Sequence, residues 1–280
     1  MAASPHPDAV FLPTGDAQFT PTALARGPWD PNAQHGGAPA ALLASLIERE
    51  VAPQSVVRVT VELLKPVPLV PLTVSTTGRA GRTAGRWEAT LSADGGLVAR
   101  AHALSARTGE LGAASLDGAA DASDGGLPWP DDGAPLRIPG MPEQRSFYYT
   151  AMEARLATGS VTDPGPAAVW FRLRVPLVEG DQQSPLARAV AAADFASGTS
   201  WVLPFGRFLY LNADLTVYLH RMPVGDWIGV DARTRIAPHG VGVAESRLYD
   251  RDGPIGTAHQ ALVVSAPALA TSTPEAQVAS

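Results

Sequence analysis

The chain has 280 residues, 45% of them apolar and 17% charged, and a formal net charge of −6; it is long enough for one large or two ordinary domains, and its acidity disfavours nucleic acid or an anionic membrane as partner. Cysteine is absent, which excludes disulfides, thiolate catalysis and Cys-based zinc sites. No apolar run approaches the roughly 18 residues of a membrane helix and Met1–Asp8 lacks a basic-then-apolar leader, so the expectation is a cytoplasmic protein without a membrane span.

Residues 1–30 are rich in Pro and Thr and hold one short strand candidate, Ala9–Leu12. His35–Glu50 predicts a helix: it is Ala/Leu-rich, Pro39 falls in the tolerated first turn, and it is apolar around most of its circumference, as an enclosed helix must be. Strands are expected at Val56–Leu64, Leu72–Gly78, Arg86–Ser92 and Leu97–Ser105, separated by turn residues such as Pro66-Val-Pro68 and Asp94-Gly-Gly96. From Leu111 to Gln144 the sequence loses all periodicity and reads as an interdomain connection. Beyond it come strand candidates Phe147–Leu156 and Ala168–Val175, a helix over Ser184–Phe195, and strands at Phe208–His220, Trp227–Thr234, Val241–Tyr249 and Ile255–Ser265. The low-complexity tail 266–280 is expected to be flexible. Basic residues are almost all arginine; Lys65 is the sole lysine, read as compositional bias.

Helix-then-four-strands thus occurs twice. Lys65–Val74 aligns with Arg221–Val230 at a spacing of 156 residues, and at 157 Glu88 falls on Glu245, Gly96 on Gly253 and His102 on His259. A constant spacing over such a length marks an internal repeat. The expected fold is α+β: two copies of a long helix wrapped by an antiparallel sheet, 1–110 and 145–265, joined by 111–144 and paired as an internal pseudo-dimer.

Phe208–His220 alternates, with Leu209, Leu211, Ala213, Leu215, Val217 and Leu219 on one face and Asn212, Asp214, Thr216 and His220 on the other. Asp194 ends the preceding helix and Gln260 lies in the last strand. A carboxylate accepts a proton from water and two neutral amides orient that water, although Asp194 alone would read as a capping or solvated residue. In the first copy Val56 stands opposite Asn212 and Ala103 opposite Gln260, so one polar set serves the pair. If the leucine face packs on its own helix, Asn212 points away from Asp194; a bulge, or a strand at the seam between the copies, resolves that conflict.

His35-Gly36-Gly37, Asp194-Phe-Ala-Ser-Gly198, Asn212–Arg221 and His259-Gln260 together resemble the tandem double-hotdog acyl-CoA thioesterases of the TesB type. The resemblance implies that Asp194, Asn212 and Gln260 hold one water against a thioester carbonyl. Well-known members carry threonine where Asn212 stands, and Thr216, on the same face, is the alternative. Backbone N–H groups at His35, Gly36 and Gly37 would polarise the carbonyl, or those glycines only permit close helix packing. Arg79, Arg82 and Arg86, in a Gly-rich connection, would grip the phosphates of coenzyme A or form a solvated hairpin. No metal and no cofactor beyond the coenzyme A of the substrate are expected; the partner is the acyl-CoA, and assembly into homo-oligomers is left open. The rival readings are a non-catalytic acyl or acyl-CoA binding protein on this fold, and a hotdog hydratase or dehydratase in which His35 and Asp194 meet across the pseudo-dimer.

Overall fold

Two helices form the centre. α1 (Gly37–Glu50) is buried continuously from Gly37 to Ser45 and again at Ile47, as its all-round apolar sequence requires. α2 (Pro185–Ala193) starts with Pro at its first turn and Ser184 as N-cap, whose hydroxyl accepts from Ala187 N at 2.9 Å. The helices run side by side in opposite directions, Gly37 meeting Ala191 and Asp194 at one end while Glu48 meets Ser184 and Leu186 at the other.

Around them the computed structural model, which describes residues 8–28, 30–109, 126–129, 135–137, 143–204 and 207–265, places thirteen strands in one sheet. They are β1 (Phe11–Gly15), β2 (Gln18–Pro21), β3 (Ser55–Leu63), β4 (Leu72–Arg79), β5 (Ala84–Ala93), β6 (Gly96–Ala106), β7 (Met152–Gly159), β8 (Ala167–Leu173), β9 (Leu209–Asn212), β10 (Asp214–Leu219), β11 (Trp227–Ile236), β12 (Val241–Asp250) and β13 (Gly253–Ser265). The order β1-β2-β4-β5-β6-β3-β10-β13-β12-β11-β8-β7 reads the same from either end once the repeat is applied. The two halves meet at the antiparallel pair β3–β10, where Thr60 faces Thr216, its mate at a spacing of 156, and their hydroxyls lie 3.1 Å apart. The pseudo-two-fold axis passes between those threonines, over the buried Val59, Val61, Leu215 and Val217. This is the double hotdog, each helix enclosed by its own half of a shared sheet.

Local expectations were corrected in four places. The strand at Ala9–Leu12 is the start of a hairpin, β1–β2. Phe147–Leu156 opens with a turn of π-helix, Phe147–Ala151, because the Ser146 hydroxyl accepts from Tyr149 N at 3.1 Å and closes that turn before β7 begins. The helix expected to reach Phe195 ends at Ala193 and is followed by the single turn α3 (Ala196–Thr199). Phe208–His220 is two strands, not one. Asn212 pairs with Leu262 and Thr216 with His259, so four residues on one side span three on the other, a β-bulge. Beside it Asp214 Oδ1 accepts from Ala261 N at 2.7 Å. The extra residue reverses the alternation: Leu215, Val217 and Leu219 are buried, but Leu211 is 48% exposed. Most of 111–144 and all of the tail 266–280 lie outside the described residues.

Candidate active site

The bulge decides where Asn212 points. Ahead of it, parity sends Leu211 outward and Asn212 inward, under the end of α2, where Asp194 forms the C-cap. Asn212 Nδ2 donates to Asp194 Oδ1 at 2.7 Å. Gln260, 1% exposed on β13, donates through Nε2 to the same Oδ1 at 3.2 Å and to the Asp194 carbonyl at 3.1 Å, while its Oε1 accepts from Ser197 N at 3.2 Å. The other carboxylate oxygen, Oδ2, lies 3.0 Å from His35 Nδ1. A carboxylate 7% exposed is costly to bury unless it is hydrogen-bonded. Here two amides, an imidazole and the N-terminus of α1 supply that compensation.

Close approach requires the glycines. A Cβ on Gly36 would stand 3.1 Å from Asp194 Oδ2 and 2.9 Å from Leu63 Cδ1; one on Gly37 would stand 3.1 Å from Ala191 O. The Gly36 N–H finds no acceptor among the described residues, and Gly36 lines the adjoining cavity. Gly37 N donates to His35 Nδ1 at 3.1 Å. That bond needs a bare Nδ1, whereas the contact with Asp194 is favourable only with a proton there. A proton on Nδ1 therefore exchanges the Gly37 bond for a charge-assisted one to Asp194. The imidazole is held flat against Phe195, centroids 4.5 Å apart, with Phe147 behind it.

A cavity of about 660 Å³ opens beside Asp194, His35, Gly36 and Asn212, within the usual range for small-molecule sites. Tyr148, Ala154, Val161, Val169, Phe171 and Phe195 form its apolar interior, and Leu136 closes part of the wall, its N–H bonded to Ala154 O at 2.6 Å. Pro28, Asp30, Gln34 and Lys65 also line it, Asp30 and Lys65 exposed and Gln34 buried.

The structure thus brings Asp194, Asn212, Gln260, His35, Gly36 and Gly37 into one group. Thr216 does not join them: it lies on the pseudo-two-fold axis bonded to Thr60 and is absent from the cavity wall. Nor do Arg79, Arg82 and Arg86, which belong to the β4–β5 hairpin. That hairpin is tied to the far end of α1, Gln54 Nε2 donating to Gly81 O at 2.8 Å, so the 14-residue helix separates it from the site by about 21 Å. Among the described residues the symmetry-related end lacks this set: Val56 and Ala103 are core residues there, and Glu48 accepts from Ser184 Oγ and Leu186 N. Gln34, Lys65, Leu136 and the aromatic wall escaped sequence reasoning. The one available signal was the solitary lysine.

Family models match both halves: the N-terminal domain of acyl-CoA thioesterases over residues 25–106, and the C-terminal domain over 130–264. No curated protein sequence matches the chain. Among solved structures, a hot dog fold protein of unknown function from Alicyclobacillus acidocaldarius is 20% identical with a TM-score of 0.70, over 93% of this chain and 97% of its own. The acyl-CoA thioesterase II TesB2 of Mycobacterium marinum is 15% identical, TM-score 0.61, over 92% and 95%. The TesB protein of Mycobacterium avium subspecies paratuberculosis is 17% identical, TM-score 0.61, over 91% and 95%. At such identities the structures establish the fold, and the domain models establish the kinship.

Proposed function

Since the chain belongs to the acyl-CoA thioesterase family, we propose that it hydrolyses acyl-CoA esters with a water activated by Asp194. The observation that carries this reading is the convergence on one buried carboxylate of Asn212, Gln260 and His35 at the wall of an apolar cavity. The acyl group occupies the aromatic-lined interior, which brings the thioester carbon to Asp194. Water attacks that carbon while Asp194 takes its proton. The oxygen becomes an oxyanion facing the Gly36 N–H at the start of α1, where the helix dipole favours negative charge. Collapse expels coenzyme A as a thiol, the proton returning to sulfur, and leaves the free acid.

Within this scheme Asn212, which lines the cavity, touches the water. Gln260 is a positioning residue, because Asp194 and Ser197 take both ends of its amide. A thioester is activated enough that neither a metal nor a covalent nucleophile is needed. The His35–Asp194 contact is also the pair that a hotdog hydratase would use, so the same protein should be assayed for hydration of an enoyl-CoA. Binding of acyl-CoA without turnover of either kind would favour the non-catalytic alternative.

Release of free thiol from acyl-CoA esters of graded length, followed with wild type, Asp194→Asn and Gln260→Ala, tests the scheme. Asp194→Asn is expected to lower kcat by about 10²–10⁴ with KM altered only a few-fold, as for loss of a general base that acts in the transition state. An Asp194→Asn protein that keeps most of its turnover would sink the assignment.

A further inference from the structure

Gln34 is 8% exposed and lines the cavity one residue before His35. Its Nε2 is fixed on Pro68 O at 2.8 Å, which leaves its Oε1 buried with no partner. Buried acceptors are seldom left unmade, so an unpartnered acceptor on a side chain that lines the cavity points to a donor that the ligand brings. The same cavity is lined by Lys65, exposed and without a carboxylate partner among the described residues. Its repeat mate is Arg221, whose guanidinium donates to both oxygens of Asp250, at 2.5 Å on Oδ2 and 2.6 Å on Oδ1. That bonding holds the Arg221 guanidinium above its ordinary pKa. At the position equivalent to Asp250 the first half has Ala93, so the cation that is locked in one half is free in the other, at the half whose corner borders the cavity.

Resting on the hydrolytic reading above, we propose that Gln34 and Lys65 form the coenzyme A side of the site, Gln34 Oε1 accepting the pantetheine amide N–H nearest the sulfur and the Lys65 ammonium taking a phosphate. Two methylenes separate that N–H from the sulfur of any CoA ester. Adjacent Cα atoms are about 3.8 Å apart, so a sulfur held beside His35 sets the N–H over Gln34. The arm then follows the β3–β4 corner: Gln34 N donates to Val67 O at 2.8 Å, and Lys65 lies two residues further out, about 7 Å along extended chain. Asp30 is the opposing charge lining this cavity, one of its oxygens taken by Asn32 N at 2.8 Å. The phosphate contact therefore falls on the Lys65 side.

The test compares an acyl-CoA with the matching acyl-N-acetylcysteamine ester, which keeps the first amide and lacks every phosphate, and adds calorimetric binding of coenzyme A itself. Lys65→Met should raise KM for acyl-CoA, and Kd for coenzyme A, about three- to tenfold, with no change for the truncated ester and with the difference fading at high salt. Gln34→Met should raise KM for both esters about fivefold, the scale of one neutral hydrogen bond. Coenzyme A affinity unchanged in a variant, or a Lys65→Met effect equal on both esters, overturns that residue's part. If wild type binds coenzyme A more tightly than the variants but hydrolyses no ester, the hydrolytic reading falls and the subsite stands.

Discussion

The carboxylate of Asp194 is placed by residues that have no side chain. Gly36 and Gly37 let the start of α1 close on it, and a methyl group at residue 36 would compete for the space of Oδ2, 3.1 Å away, and of Leu63 Cδ1, 2.9 Å away. Leu63 can turn aside; the carboxylate, bound on Oδ1 by two amides, can only rotate off them. Gly36→Ala should therefore lower kcat tenfold or more, since small misplacements of catalytic groups are costly, while the melting temperature falls by only a few degrees. Paired kinetics and thermal unfolding measure the split; a large loss of stability with kcat intact would mean that the glycine serves packing alone. Sequence reading singled out this group by combination, not by any one member: Asp194 alone reads as a capping residue, and the repeat and the family resemblance joined it to Asn212, Gln260 and the Gly-Gly ahead of a helix. Gln34 and Lys65 sit in Pro-rich irregular segments, where no periodicity assigns a side chain to a face, and only the folded path of 27–34 beside 64–67 brings them to the cavity.

Alternation can be read along β10, and fails at β9, because a one-residue bulge inverts the faces of everything on one side of it. No residue type announces the bulge; Ala213 is ordinary in a strand and Asp214 passes for a solvated one. The β3–β6 pair shifts register at the equivalent place, between Val56 and Arg58, so the bulge belongs to the repeat; in this half Asp214 Oδ1 also takes the Ala261 N–H beside it, at 2.7 Å. Asp214→Ala should relax the bulge, turn Asn212 away from Asp194, and cut kcat by about 10²-fold, with a stability loss of about 1 kcal/mol for the hydrogen bond. Asp214→Asn, which keeps an accepting oxygen, should retain most activity. Equal damage from both substitutions would assign the effect to charge, not to backbone register. The arginine-rich turn teaches the converse lesson at this scale. Its composition suited phosphate, but β4 runs away from the cavity, so the hairpin lies a helix length from the site. Strand direction, which composition does not encode, sets that distance.

Over the whole molecule the repeat made the architecture legible, since a constant spacing of 156–157 residues permits little but two equivalent halves, and the axis does fall between Thr60 and Thr216. The same symmetry offers two places for a site, one at each junction of a helix start with the other helix's end. Only one is furnished. At the α1 start stand Gly36, Gly37, His35 and Asp194, with Asn212 and Gln260 beneath; at the α2 start Ser184 and Leu186 N consume Glu48, and the strand positions hold Val56 and Ala103. An apolar floor of Val56 and Ala103 cannot orient a water. One coenzyme A should then bind per chain in calorimetry, whatever the assembly state, and Asp194→Asn should suppress turnover as a single step with no residual second activity. A stoichiometry of two, or a remaining rate with its own KM, would show that the Glu48 end is a working site and that the asymmetry of these side chains does not govern function.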